Sequence, residues 1–239
     1  MNVQKKFFRS FPRIPVLGYA VRSLVVFLFL VSPAYAGRVV HYKTYHPGTG
    51  EEFNRFTCSS EKNLSGGYQV HWVIEEGGRV TEEDYTLDEY FGTLRFRVVN
   101  VDEKTDYIGE RKERLVFIRG RFKGEKIERT MEIDERPFYY NPKVGLAAFV
   151  CSGETQGTFW GFQNKELNVY PMKATNEGPD RISVNGKDVE AIKIHWTIDD
   201  FRSVFFKRTY WFRGSDGLYL KQKTGGGKFR ELVSEEGGM

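Results

Sequence analysis

The chain is short of the residues from which most recognisable chemistry is built. Among its 239 residues there are two cysteines and four histidines. Cys58 and Cys151 form no Cys-x-x-Cys pair, which excludes the usual redox and zinc spacings. His41, His46, His71 and His195 show neither His-x-x-x-His nor Glu-x-x-His spacing, so they read as surface histidines, and no metal or other cofactor is expected. The segments SSEK and CSGE lack the glycine elbow of a hydrolase. Gly225-Gly226-Gly227 follows a strand without opening a helix, so it presents no helix amino terminus to a phosphate. The carboxylate clusters, Glu82-Glu83-Asp84 and Asp199-Asp200 among them, lie at or near turns, where solvation explains them more simply than general acid and base work does. The expectation is a protein that is not an enzyme. No Pro-, Ser- or charge-rich linker divides the chain and no period of about 20 to 50 residues repeats, which points to one domain.

An excess of positive charge is also missing once the amino terminus is set aside. Residues 1–22 carry Lys5, Lys6, Arg9, Arg13 and Arg22 and no acid; SLVVFLFLV follows, and then Ala34-Tyr35-Ala36 before Gly37. This is the order of a secretory signal peptide, cut after Ala36 so that the exported chain begins at Gly37. The uninterrupted apolar run falls short of the ~20 residues a spanning helix needs, so no stable membrane span is expected after cleavage. No cysteine follows the cleavage motif, which argues against a lipid-anchored form. The 203 residues from Gly37 onward balance 31 basic against 32 acidic side chains. That near-neutrality excludes nucleic acid as a partner, because a phosphate binder needs a basic excess. In an oxidising compartment two thiols are more often paired than free, so a Cys58–Cys151 disulfide is expected.

What the chain does have is period-two alternation. Ile192, Ile194, Trp196 and Ile198 fall on one face of EAIKIHWTID; Tyr68, Val70, Trp72 and Ile74 do so in YQVHWVIEE. One face dry and one wet is the pattern of an antiparallel sheet. Gly-Gly, Lys-Gly and Asn-Gly turns separate the runs, Asn185-Gly186 being the most specific because a type I′ turn requires positive φ at both central positions. The pattern predicts about ten strands, near 38–45, 52–59, 67–75, 79–87, 93–101, 113–122, 126–134, 166–174, 189–199, 203–213 and 218–223, of which one or two merge or fail. RPFYYNPKVGLAAFVCSG interrupts them with the one Ala-rich run outside the amino terminus and predicts a short helix from Pro142 to Cys151.

Aromatic residues are the compositional excess, with 20 Phe, 13 Tyr and 4 Trp. In SVFFKRTYWFRG, Val204, Phe206, Tyr210 and Phe212 share one face, while Phe205 and Trp211 share the other with Lys207, Thr209 and Arg213. Either a second layer covers the outer aromatics or they form a binding surface. Coverage is the favoured reading for the strand. Trp211 and Tyr219 are nonetheless the residues that would face a ligand from that side, and Trp72 and Trp196 would line the concave, apolar side.

The segments QVHWVIEEGGRVTEEDYTL, RLVFIRGRFKGEKIERTMEI, RPFYYNPKVGLAAFV and TYWFRGSDGLYLKQK together resemble exported β-rich proteins known only as a domain of unknown function. The resemblance spans about Tyr68 to Lys223. Such proteins are similar in shape to lipoprotein-carrier-like half-barrels of the bacterial envelope, in which a curved antiparallel sheet wraps a helix. The resemblance implies a mainly β fold, a single curved antiparallel sheet forming a half-barrel or open barrel, and a periplasmic domain over residues 37–239. It also implies a possible apolar cavity and no known activity. Two functions follow as expectations: a non-catalytic binding or carrier module for an apolar ligand such as lipid or glycolipid, or an interaction module that engages another envelope protein and has a filled core.

Overall fold

A computed structural model describes residues 37–237 apart from 47, 65, 205, 225 and 226. The expected signal peptide, with Ala36, lies outside the described residues, as does Phe205. The described chain is mainly β, with one α-helix. Fifteen strands form a single open sheet: β1 (Arg38–Tyr45), β2 (Glu52–Lys62), β3 (Tyr68–Glu76), β4 (Arg79–Leu87), β5 (Thr93–Asn100), β6 (Thr105–Lys112), β7 (Leu115–Phe122), β8 (Glu125–Glu132), β9 (Phe138–Tyr139), β10 (Gln156–Gln163), β11 (Asn168–Val184), β12 (Lys187–Ile198), β13 (Lys207–Phe212), β14 (Tyr219–Thr224) and β15 (Phe229–Gly237).

The expectation of about ten strands is therefore too low: β6, β9, β10 and β15 were not expected, and for β6, β10 and β15 the structure shows why. Inward-facing positions of β6 and β10 are taken by Gly109, Gly157 and Gly161, so their alternation is invisible to hydrophobicity. An added Cβ at Gly109 would lie 2.0 Å from the Phe96 ring, and at Gly161 2.6 Å from Met172. Rings of neighbouring strands already fill the space that side chains there would need. In β15 the sequence FRELVSEEG turns Arg230 inward beside Leu232, which reads as a solvated segment. The predicted strand at 203–213 begins later, because Phe201–Val204 forms a 3₁₀ turn.

The order across the sheet is β8-β7-β6-β5-β4-β3-β2-β1-β15-β14-β13-β12-β11-β10-β9. Every neighbouring pair is antiparallel except β9 with β10. The two ends of the described segment meet in its middle, where β1 pairs with β15 over eight residue pairs. Laid flat at the usual strand spacing, fifteen strands would be about 67 Å wide. Yet the edge strands β8 and β9 are separated in sequence only by residues 133–137, which span at most about 20 Å. The sheet must curl until its edges approach. Side chains join them: the Arg129 guanidinium on β8 donates to the carbonyls of Glu166 at 2.7 Å and Leu167 at 3.3 Å, between β10 and β11.

The helix α1 (Pro142–Ser152) lies in the concavity. Asn141 caps it, its side chain accepting from the Lys143 N–H, proline occupies its first turn, and Gly153 ends it in the left-handed region at φ 72°. Its apolar residues point all round, as a helix enclosed by a sheet requires. Val144, Leu146, Ala147, Phe149 and Val150 are all buried.

The expected disulfide is not formed: Cys58 and Cys151 are free. Cys58 is buried on β2 opposite Trp72 of β3, close to Lys143 at the start of α1. Cys151 stands exposed at the other end of that helix. Eight residues of helix separate Lys143 from Cys151, about 12 Å along the axis, which is more than the Cα separation of about 7 Å that a disulfide bridges. Burial pushes the Cys58 thiol far above its ordinary pKa, so it is an inert core residue.

Candidate functional site

The sheet register decides which side chains share the lumen. Trp72 lies between Cys58 on β2 and Glu83 on β4, and Trp196 lies between Ala174 on β11 and Arg208 on β13. Both tryptophans are buried on the concave side, at 1% and 2% exposure. Their surroundings differ. Trp72 stacks on Tyr42 with centroids 5.6 Å apart, meets Phe56 edge-on at 6.4 Å, and has the Lys143 ammonium 5.7 Å above its ring. That part of the lumen is filled. Trp196 packs against Phe159 and Tyr139 and has its remaining edge on a cavity of about 360 Å³. Phe162, Tyr170, Met172, Ile198 and Phe206 supply the apolar lining, Pro142 the helix end, and Gln163, Glu166 and Arg208 the polar groups.

Trp211 and Tyr219 do not reach this cavity. Trp211 points away from the lumen and is covered by the long β11–β12 hairpin, its indole N–H donating to the Asp180 carboxylate at 2.8 Å. The hairpin is anchored there by Asn185 donating to the Val233 carbonyl at 3.0 Å and by Lys221 donating to the Ser183 carbonyl at 2.7 Å. Tyr219 lies on the other face, fully buried among Tyr42, Tyr210 and Phe212. The reason is a bulge: Trp211 pairs with Lys221 but Phe212 pairs with Tyr219, so one residue is skipped and Tyr219 turns inward.

Beside the filled part of the lumen runs a polar network. The Glu83 carboxylate, 6% exposed, accepts from the Tyr85 hydroxyl and from the Tyr140 hydroxyl at 3.2 Å. Asn141 and Asn164 donate to those two hydroxyls at 3.4 and 2.8 Å. Burial, reinforced by the Glu83 charge, holds both phenols well above their ordinary pKa, so they remain protonated donors.

Between this network and the cavity stand three cations, Lys143, Arg208 and Arg230, none of which the sequence pattern suggested. Burial pushes the Lys143 ammonium well down, and the charges of Arg230 and Arg208 push it further. Burial also lowers Arg230, with Arg208 adding to the effect. A signal for one of them was present: in the apolar series Phe206, Tyr210, Phe212, the position between Phe206 and Tyr210 is Arg208, a charge on a dry face. Arg230 and Lys143 had none, since each depends on a strand or helix placement that alternation does not show.

The histidines stay outside the lumen. His71 meets Asp84 at 2.8 Å, and His195 bonds Thr209 at 3.1 Å and Glu177 at 2.7 Å. Among the described residues no three metal-ligating side chains cluster, and no helix is long and apolar enough to cross a membrane.

No protein-family model matches the chain, and no curated protein matches it in sequence. Solved structures do match. A β-barrel-like protein of the Domain of Unknown Function DUF1849 from Brucella abortus is similar with a TM-score of 0.54 and 14% identity, over 83% of this chain and 96% of that one. A candidate lipoprotein from Parabacteroides distasonis has a TM-score of 0.34 at 10% identity, over 85% and 97% of the two chains. A candidate exported protein with a YmcC-like fold from Bacteroides fragilis has 0.31 at 9%, over 86% and 98%. The first shows that this chain shares its fold with a β-barrel-like protein of unknown function, the kind of protein its motifs resemble.

Proposed function

We propose that the protein is a non-catalytic binding or carrier module of the bacterial envelope that holds an apolar ligand, a lipid or glycolipid chain, beside Trp196. The observation that carries this reading is the cavity of about 360 Å³ between the start of α1 and strands β10 to β13. Its volume lies in the range of small-molecule sites, and its lining is mostly aromatic and aliphatic with a few polar groups, the composition that such sites favour. The rest of the concavity is packed by α1 and by the rings around Trp72. The envelope setting is supported by the basic, apolar and small-residue order of residues 1–37 and by the resemblance already described.

Native mass spectrometry of protein isolated from an envelope fraction, with W196A and W72A as variants, tests this. The unchanged protein is expected to carry a lipid-sized mass that W196A loses, with a smaller loss of stability than W72A because part of the Trp196 ring borders the cavity. W72A is expected to lose about 3–5 kcal/mol of stability, because its site is filled core. A parent protein that carries no ligand and takes up none from added lipid would sink the carrier reading and leave an interaction module with a filled core.

A further inference from the structure

The inner wall beside the cavity carries more positive charge than the one buried carboxylate near it, Glu83, offsets: Lys143, Arg208 and Arg230 stand against it. Arg208 lies opposite Trp196 on β12 and Thr224 on β14; Arg230 lies opposite Gln222 on β14 and Thr44 on β1. Both arginines are on the concave side, and Arg208 lines the cavity. Neither makes an ion pair among the described residues. Arg208 rests over the Phe206 ring at 4.8 Å, and Arg230 over the Phe56 ring at 3.4 Å with a single hydrogen bond, Nε to the Thr44 hydroxyl at 3.1 Å. A guanidinium has five N–H donors, so most of theirs remain for something else.

Elsewhere the protein treats its half-buried arginines differently. Arg213 is held by Asp216 and Glu235 together, and Arg38 by the same two carboxylates. The buried Glu83 accepts from the Tyr85 and Tyr140 hydroxyls, and Glu166, exposed at the rim of the cavity, accepts from the Tyr170 hydroxyl; neither forms an ion pair with Arg208 or Arg230. Two further donors there have no acceptor: the Tyr210 hydroxyl, fully buried on the inward face of β13 next to Arg208, and the Trp72 indole N–H, at 1% exposure. One inward acceptor there also lacks a partner, the Asn54 Oδ1 on β2 across from Thr44, but the unused guanidinium N–H groups, the Tyr210 hydroxyl and the Trp72 N–H outnumber it.

We propose that the lumen holds an anionic amphiphile, its apolar chain lying along Trp196, Met172 and Phe162 and its carboxylate or phosphate head received by Arg208 and Arg230. This rests on the reading of the cavity as a ligand site and adds the sign and place of the head group. Forked guanidinium donors suit both carboxylate and phosphate oxygens. The Tyr210 hydroxyl supplies a neutral donor beside them, and Lys143 stands within electrostatic reach of both arginines. Burial lowers the Lys143 pKa, and an anion placed here would raise it again.

Titration calorimetry with laurate, dodecyl phosphate, uncharged dodecanol and inorganic phosphate alone tests the assignment. In the unchanged protein the two anionic dodecyl compounds are expected to bind at least about tenfold more tightly than dodecanol, a contrast that requires no variant. Inorganic phosphate alone is expected to bind at least about a hundredfold more weakly than dodecyl phosphate, because the chain contributes the remainder. R208M and R230M, which keep much of the side-chain bulk, are each expected to weaken the anionic compounds about tenfold, leave dodecanol within about twofold, and keep or raise the melting temperature as like charges are relieved. Equal affinity for laurate and dodecanol would overturn the head-group assignment while the pocket stands. Phosphate binding as tightly as dodecyl phosphate would make this a free-anion site and overturn the amphiphile. Failure of every dodecyl compound would overturn the pocket reading itself.

Discussion

Asp216 shows how much one side chain can tie together. Its carboxylate accepts from Arg213 at 2.9 and 2.7 Å, from Arg38 at 2.9 Å and from the Leu218 N–H at 3.1 Å, joining the β13–β14 turn to the first strand. Burial pushes its carboxyl up, but the bonds from Arg213, Arg38 and Leu218 overcome that and hold it below the ordinary value of 3.8. A carboxyl with a depressed folded pKa contributes stability that is present above its unfolded value and lost as pH falls through the folded one. D216N is therefore expected to be less stable than the parent in urea at pH 7, with the difference shrinking as the pH is lowered from about 5 to below 3. A difference that stays constant across that window would show that the charge of Asp216 contributes nothing. In sequence this residue is only the third member of a Gly-Ser-Asp-Gly turn; its partner Arg38 lies on β1, and Glu235, the carboxylate that shares Arg38 and Arg213 with it, lies on β15.

At the scale of elements, the same turn sets the seat of the helix. Gly217 has φ 69°, and a Cβ there would lie 2.7 Å from the Ala147 carbonyl oxygen and 2.9 Å from its Cα. The turn thus packs directly on helix backbone, which cannot rotate out of the way as a side chain can. G217A is expected to lose on the order of 2–3 kcal/mol, from left-handed strain and overpacking together, measured by thermal or denaturant unfolding. A loss under about half a kcal/mol would mean that α1 is free to shift. Element by element, the alternating runs β3 and β12 were readable from hydrophobicity, and the Ala-rich run predicted α1 to within one residue. Strands β6, β10 and β15 were not, because Gly109, Gly161 and Arg230 occupy inward positions whose neighbours supply the bulk.

For the whole molecule, the decisive pairing is between the ends of the described chain. β15 joins β1 on one side and β14 on the other, so it holds together the runs β1–β8 and β9–β14. Deleting residues 229–239 is expected to abolish the single cooperative unfolding transition, since each remaining part would present an unpaired strand edge. A peptide spanning residues 228–239, added in trans, is expected to restore it by strand addition. A truncated chain that melts as the parent does would show that the sheet does not depend on this seam. The outer edge is better protected: β8, EKIERTME, is largely exposed and carries charges of both signs along its length, a composition that discourages edge-to-edge association.

By itself the sequence determined the mainly β class, the antiparallel alternation and the helix, because these depend on local periodicity and turn chemistry. It also indicated that Trp72 and Trp196 belong on the dry side. Only the tertiary structure decided that Trp72 is packed core while Trp196 borders a cavity, since the difference lies in which rings the curled sheet brings against each. The separation of Cys58 from Cys151 and the inward turn of Tyr219 were decided the same way, the first by eight residues of helix and the second by one skipped residue in the register. The two lumenal arginines are the furthest from what periodicity can show. Arg208 was visible only as a charge on a dry face and Arg230 not at all, its inward turn following from the β1–β15 pairing; the lack of an ion pair for either is a property of the assembled lumen.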